Sequence, residues 1–418
     1  MTRTTSRDAL PVEVLKASNG LTLILKENHS TPIISLALYA RGGLYTEEEP
    51  HQGITGFMQR MLMKGTARRD AETIAADLEY LGASMSPFTG KDVFGVSLTS
   101  LSKHFLSALE VFTDCLSSPT MPRENADRER TVILSDIEKR KDDTLSYCLE
   151  LCERALFEGH PYRFPISGRA ESLKSVTVDD LRAWHDRLYR ADRMVVAVVG
   201  DFELARMREV LLETLGGLPP SSEALPGYPV PRPFSGLREI RETLDKRQVA
   251  VALGFQGPAF PHPDYPAFDV LDHLLSGMGS RLFIELRDKQ GLGYVVSSSF
   301  ESRRDIGAFK IYIATREERR ERARQAMLEQ LARLREEPVS DEEMARARQY
   351  MLGLQEIALQ RNGAQASRLA YYEIMGLGWN LIETYPACIA GVGAGDVRRV
   401  AERYLDLERH AVAEILAP

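Results

Sequence analysis

The chain has 418 residues, 44% of them apolar, and a formal net charge of −7 spread along its length. That is enough chain to bury a large core and to build two domains or a pair of related halves. Without a basic patch interleaved with aromatics a nucleic-acid partner is not expected.

No apolar run approaches the ~20 residues that span a bilayer, the longest plain one being 194–199. The start, 1–11, has no hydrophobic stretch of the signal-peptide kind. As it stands the sequence reads as soluble and cytoplasmic with no membrane contact; a removed signal would make it periplasmic. Cys115, Cys148, Cys152 and Cys388 form no Cys-x-x-Cys pair, so no disulfide framework is expected. Cys148 and Cys152, four apart, share a helical face and read as packing residues.

Strands are expected at 21–25 and 34–40, the second alternating Ile34, Leu36 and Leu38 with Ser35, Ala37 and Tyr39. In 53–66, Ile54, Phe57, Met58, Met61 and Leu62 recur at i, i+3, i+4, i+7 and i+8, which predicts an amphipathic helix closed by Gly65. A helix over 71–81, stopped by Gly82, precedes strands near 84–88 and 93–98 and a helix from Phe105 to Leu116 that Pro119 closes. One long helical region is expected over 125–158, then a buried strand at 195–200.

Segment 216–236 holds six prolines, at 219, 220, 226, 229, 231 and 233, and reads as a linker. Beyond it come a strand at 249–255, helices at 266–275 and 281–289, strands at 294–300 and 309–314, and a long helix at 317–336. Ser340 and Glu343 form a capping box that opens another. Asp180, Leu181, Trp184, Leu188 and Val195-Val196-Ala197 recur 216 residues later as Asp396, Val397, Val400, Tyr404 and Ala411-Val412-Ala413. The pattern predicts a duplicated α/β unit: domains at 1–216 and 237–418 with a linker at 217–236.

The frame of 53–66 closely resembles the zinc-site helix of the pitrilysin/insulinase (M16) metallopeptidases, whose motif is His-x-x-Glu-His. There the histidines bind zinc and the glutamate activates a water. On that frame this chain carries Gly56, Gln59 and Arg60. Glycine has no donor atom and glutamine takes up no proton at neutral pH. A guanidinium about 4 Å from a dication would repel it by roughly 8 kcal/mol at an effective dielectric of about 20.

The family's third ligand, a glutamate seven residues after another, falls at Asp136 after Glu129. An aspartate by itself does not hold zinc. The eight histidines include no pair at i, i+3 or i, i+4, so no metal is expected in this chain. His51 reads as solvated and His273 as structural.

The block from Gly279 to Tyr294 matches the family's second signature, in which an arginine and a tyrosine seven residues on hold the substrate backbone and the oxygen of the tetrahedral intermediate. These would be Arg287 and Tyr294, both intact. Arginine offers fixed donors to peptide carbonyls, and a phenol can donate to a developing oxyanion. By local pattern alone Arg287 could equally complement a helix C-terminus capped by Gly291; the match along the whole block assigns the function. The turn before it carries Gly277 and Gly279, with no GxGxxG pattern or Walker lysine for phosphate. The resemblance puts such a loop beside the peptide path.

Together the resemblance implies an α+β fold of two homologous α/β domains, each a mostly antiparallel sheet flanked by helices, paired with a second chain as a clam-shell. It implies the non-zinc subunit of a heterodimeric, short-chain, mitochondrial-processing-peptidase-like enzyme. Such a subunit needs no cofactor of its own, because the zinc sits in a homologous partner carrying His-x-x-Glu-His. The substrate would be a peptide taken in extended form at a sheet edge. The rival expectation is a catalytically inactive scaffold or a homodimeric peptide-binding protein.

Overall fold

The computed structural model describes residues 12–231, 236–246 and 248–418. The start at 1–11 and the part of the linker that holds Pro233 lie outside the described residues. The first sheet comprises β1 (Val12–Lys16), β2 (Thr22–Glu27), β3 (Ile33–Arg41), β4 (Ser84–Thr89), β5 (Val93–Leu101) and β6 (Met194–Gly200), in the order β1-β2-β6-β3-β5-β4. The second comprises β7 (Arg238–Thr243), β8 (Val249–Gly257), β9 (Val295–Glu301), β10 (Gly307–Thr315) and β11 (Ala411–Leu416), in the order β7-β11-β8-β10-β9.

Each sheet is antiparallel apart from one parallel pair, β2 with β6 and β7 with β11. Strand for strand, β2-β6-β3-β5-β4 repeats as β7-β11-β8-β10-β9. The repeat seen in the sequence is therefore a repeat of topology, and among the described residues β1 is the one strand that has no counterpart.

Every residue of β6 and of β10 is buried, which demands cover on both sheet faces. Helices of the same half cover one face. The other is covered by a helix from the opposite half. Helix Thr144–Leu156 packs Tyr147, Cys148, Leu151, Cys152 and Ala155 against Ala250, Ala252, Ala411 and Ala413 of the second sheet. Helix Asn362–Ile374 packs Ala366, Leu369 and Ala370 against Ile24, Ala37, Val195, Ala197 and Val199 of the first.

Small residues let these crossing helices come close. A Cβ added at Gly254 would lie 2.5 Å from the Cys152 sulfur. Cys115, Cys148 and Cys152 are free and buried, so the packing role expected of the i, i+4 pair is the one observed.

The expected single helix over 125–158 is two, Arg123–Lys139 and Thr144–Leu156. The chain breaks because it must leave the first half's motif helix and cross to the second sheet, and Asp143 caps the new start by accepting from the Ser146 N–H at 3.2 Å. The motif helix is shorter than predicted, Ile54–Met61, with Gly65 beyond its end at φ 150. Segment Phe283–Lys289 is wound with wide i→i+5 turns. Edge strands β1 and β7 and helices Leu204–Leu215, Asn362–Ile374 and Leu381–Gly391 were not legible in the sequence pattern. Among the described residues no helix is long and apolar enough to cross a membrane.

The crossing also buries charge. Glu153, on helix Thr144–Leu156, bonds Lys91 of the first half and Arg303 (2.5 Å) and Lys310 (2.6 Å) of the second. Glu301 joins the same two second-half cations at 2.6 and 3.1 Å. Burial by itself would raise the Glu153 pKa, but Arg303, Lys310 and Lys91 hold it well below the usual carboxylate range. Burial pulls Lys91 down to about 8.

Removing one member of such a cluster leaves uncompensated buried charge. Glu153→Gln should therefore lower stability by about 3–5 kcal/mol in urea denaturation at pH 7. A shift below ~1 kcal/mol would show that the cluster is incidental to joining the halves.

Candidate functional site

The motif helix starts at Gly53, in the left-handed region at φ 91, where a Cβ would meet the Gly168 Cα at 2.8 Å. Its first N–H groups are capped from outside the helix: the Glu47 carboxylate accepts from Gly53 N–H (2.7 Å) and Thr55 N–H (3.0 Å). Burial lifts Glu47 to about 7 against the opposing effect of those bonds. Trp184 Nε1 donates to Thr55 Oγ1 at 3.0 Å and ties the helix to Val178–Leu188.

Gln59 is 2% exposed and nearly saturated. Its Nε2 donates to the carbonyls of Phe88 (2.9 Å) and Gly95 (2.6 Å), and its Oε1 accepts from the Tyr189 hydroxyl (2.7 Å). The amide thus pins the motif helix to β4 and β5. In the second half Asp272 makes the matching tie to β9, accepting from Ser298 Oγ (2.6 Å) and Phe300 N–H (3.2 Å).

Arg60 Nη2 lies 2.8 Å from Asp136 Oδ2, and its Nη1 lies 3.8 Å from Glu129 Oε2. Lys64 Nζ takes the other Glu129 oxygen at 2.7 Å. Two cations thus answer two carboxylates where the family frame has a metal and its ligands. Gly56 faces open space, an added Cβ meeting only Ile166 O at 3.7 Å. Gly56, Gln59, Arg60, Lys64, Phe88 and Glu129 line part of a cleft of about 630 Å³.

Lys64 and Tyr189 were absent from the sequence reading. Lys64 could have been found, four residues after Arg60 and just past the end of the motif helix. Tyr189, 130 residues from Gln59, could not.

In the second half, Arg281 forms a two-pronged ion pair with Glu343, Nε–Oε1 2.7 Å and Nη2–Oε2 3.0 Å. That hydrogen-bonded pairing pulls Glu343 down to about 2. Glu343 also closes the capping box of helix Asp341–Ala358, so the glycine turn is anchored to that helix. Gly277 takes φ 90, and Met278 beside it is 81% exposed.

Gly291, at φ 60, ends the wide-turned segment. The Arg287 guanidinium lies 4.3 Å from the Phe283 ring centre and 4.5 Å from that of Tyr294. Tyr294 is 73% exposed. Arg287 and Tyr294 are thus brought together, and Gly56, Gln59, Arg60 and Asp136 form a separate group. Among the described residues none from the second half lines the cleft at the motif. His273 Nδ1 donates to the Asp269 carbonyl at 3.0 Å, the structural role expected, and His51 is half-buried.

Residues 22–169 match the family model described as "Insulinase (Peptidase family M16)", and residues 175–351 the one described as "Peptidase M16 inactive domain". The chain belongs to the M16 peptidase family.

Curated M16-type relatives include proteins described as uncharacterized zinc proteases. YmxG of Bacillus subtilis is 26% identical over 400 residues, covering 95% of this chain and 96% of its own length. One from Streptomyces coelicolor is 27% identical over 398 residues, covering 92% and 85%. A protease from Helicobacter pylori superposes with a TM-score of 0.90 at 20% identity, over 98% of this chain and all of its own. A Pseudomonas fluorescens "peptidase M16 inactive domain" superposes with 0.87 at 23% identity, over 98% of both. The two solved structures share the fold.

The M16 metal does not fit this motif. Zinc requires deprotonated N, O or S ligands with room around them, and here Gln59 is bonded into the sheet while Arg60 occupies the ligand side. Among the described residues no group of three or more His, Cys, Asp or Glu side chains could hold a metal ion.

Two substitutions probe this arrangement. Gln59→Glu sets a carboxylate against two carbonyl oxygens and should cost on the order of 3 kcal/mol in denaturant unfolding; an unchanged midpoint would mean the amide bonds are dispensable. Gly56→His combined with Arg60→His removes the guanidinium and supplies two imidazoles beside Asp136. Zinc bound per folded chain, read by elemental analysis, should rise from near zero toward one equivalent, and a folded, zinc-free double variant would show that Asp136 is not aimed at the family position.

Proposed function

We propose that this chain is the non-zinc subunit of a heterodimeric M16 metallopeptidase that hydrolyses peptides. The observation that carries the reading is the contrast between its two groups. The motif is self-satisfied, with Arg60 and Lys64 neutralising Asp136 and Glu129. Arg287 and Tyr294 are stacked, and the tyrosine is exposed.

The two groups sit on different halves of a chain whose halves are interlocked by the crossing helices. A site that uses Arg287 and Tyr294 therefore takes its metal from another chain, a homologue carrying His-x-x-Glu-His. That partner would supply the Lewis acid and the attacking water.

This chain's residues would bind and polarise. Arg287 donates to a peptide carbonyl, and the Tyr294 hydroxyl donates to the oxygen that gains charge. The turn holding Gly277 and Gly279 would contact the peptide beside them. A substrate strand would add to β4, the free edge of the first sheet nearest the cleft. The closed motif fits a scaffold or a homodimeric peptide-binding protein equally well; the exposed Arg287–Tyr294 stack favours the subunit, since a scaffold has no use for it.

The test is reconstitution. This chain by itself should be inactive and zinc-free, and peptide hydrolysis should appear on mixing with a His-x-x-Glu-His homologue. In the complex, Arg287→Ala or Tyr294→Phe should lower kcat by ~10²–10³ with assembly unchanged. Full turnover in both variants, or association without any gain in activity, would support the scaffold.

A further inference from the structure

The duplication is incomplete in one place. In the first half the outer edge of β2 is closed by β1, which pairs antiparallel with it from Val12↔Lys26 to Lys16↔Thr22. In the second half the matching strand is β7, and it stands at the end of its sheet. Arg238 N–H donates to His410 O and Leu244 N–H to Leu416 O, so the even-numbered residues of β7 face β11. By strand alternation the N–H and C=O groups of Glu239, Arg241 and Thr243 face outward. Among the described residues no backbone group pairs with them. A groove of about 1000 Å³ opens beside Arg238, Glu239 and Ile240.

An open edge usually carries charge to repel further strands. Here the order of the charges does the reverse for one partner. The strand reads Arg238-Glu239-Ile240-Arg241-Glu242-Thr243. Laid antiparallel on itself about Ile240, it sets Glu239 against Arg241 and Arg238 against Glu242 of the other copy, with Ile240 against Ile240. Within one chain Glu239 and Arg241 already touch, Oε2 to Nη2 at 2.8 Å, while Glu239 also meets Arg324 at 2.8 Å and Arg241 meets Glu414 at 2.7 Å. Arg238 and Glu242 likewise keep partners in their own chain, Glu158 at 3.4 Å and Lys141 at 3.3 Å, so two copies would bring four alternating charges together at the centre of a wider network.

The backbone parity agrees. Glu239 and Arg241, the outward-facing residues, are the ones that would become hydrogen-bonded partners, and Ile240 would fall in a non-hydrogen-bonded pair. Moving the centre by one residue sets Glu239 against Glu239 or Arg241 against Arg241, like-charge contacts that disfavour those registers.

We propose that β7 is a pairing edge for a second copy of this chain, joined about a two-fold axis at Ile240 so that the two second-half sheets become one. The pairing is independent of the metallopeptidase reading and uses neither the motif cleft nor Arg287 and Tyr294.

Sedimentation velocity on the full chain tests it. Glu239→Pro deletes an outward N–H and leaves the β7–β11 ladder intact. Glu239→Lys sets a cation against Arg241 of the other copy and decides the matter should the proline variant misfold. Wild type is expected to be a dimer that weakens with added salt, and each folded variant a monomer. A wild type that is monomeric up to its solubility limit, or a dimer that survives the folded variants, overturns the proposal. So does an edge that pairs only when a metal-bearing homologue is added.

Discussion

The constraint on which the rest depends is that each half of the chain lends the other a helix. Strands β6 and β10 are buried at every residue, so neither can face water on either side. The cover comes from Thr144–Leu156 and Asn362–Ile374, each crossing to the opposite sheet. A cross-half charge cluster centred on Glu153 sits under that crossing. Burying three cations with Glu153 is tolerable only where each charge keeps its partners, the half-exposed Glu301 among them. The cluster and the exchanged helices therefore hold the halves in one arrangement.

That arrangement bears on function. The motif cleft belongs wholly to the first half and the Arg287–Tyr294 stack wholly to the second. A chain with a loose linker could fold one onto the other; this one is held by a buried interface instead.

The motif holds its helix to the sheet and pairs its charges with side chains alone. At the position of the family's general base, the Gln59 amide donates to two backbone carbonyls, which a carboxylate could not do. At the second histidine position, a guanidinium supplies the positive charge that the carboxylates of Asp136 and Glu129 would otherwise lack. The local charge balance a dication would provide is retained by side chains, and the helix stays capped by Glu47.

Much of this could be read from the chain itself. Strands β2, β3, β6, β8 and β10 were legible because apolar runs and alternation mark them, and the motif helix because its stripe has a helical period. The residues in the family frame, Gly56, Gln59, Arg60, Asp136, Arg287 and Tyr294, were named from spacing and resemblance. Strands β1 and β7 were missed because they are short and charged: β7 carries a single apolar residue, Ile240, and Glu13 and Lys16 interrupt β1. The helix break at 140–143 and the small-residue helix Asn362–Ile374 were missed because their causes lie in the opposite half.

Sequence by itself determined the repeat between the halves and which side chains stand in the motif frame and in the 279–294 block, Gly56, Gln59, Arg60, Arg287 and Tyr294, since each is a matter of which atoms are present and how far apart along the chain. Only the tertiary structure decided that Gln59 is a strut, that Arg60 and Lys64 answer the carboxylates, and that the halves trade helices. Those facts depend on contacts between residues tens to hundreds of positions apart, and such contacts are set by which faces must be buried and which charges must be paired, quantities that no local pattern encodes.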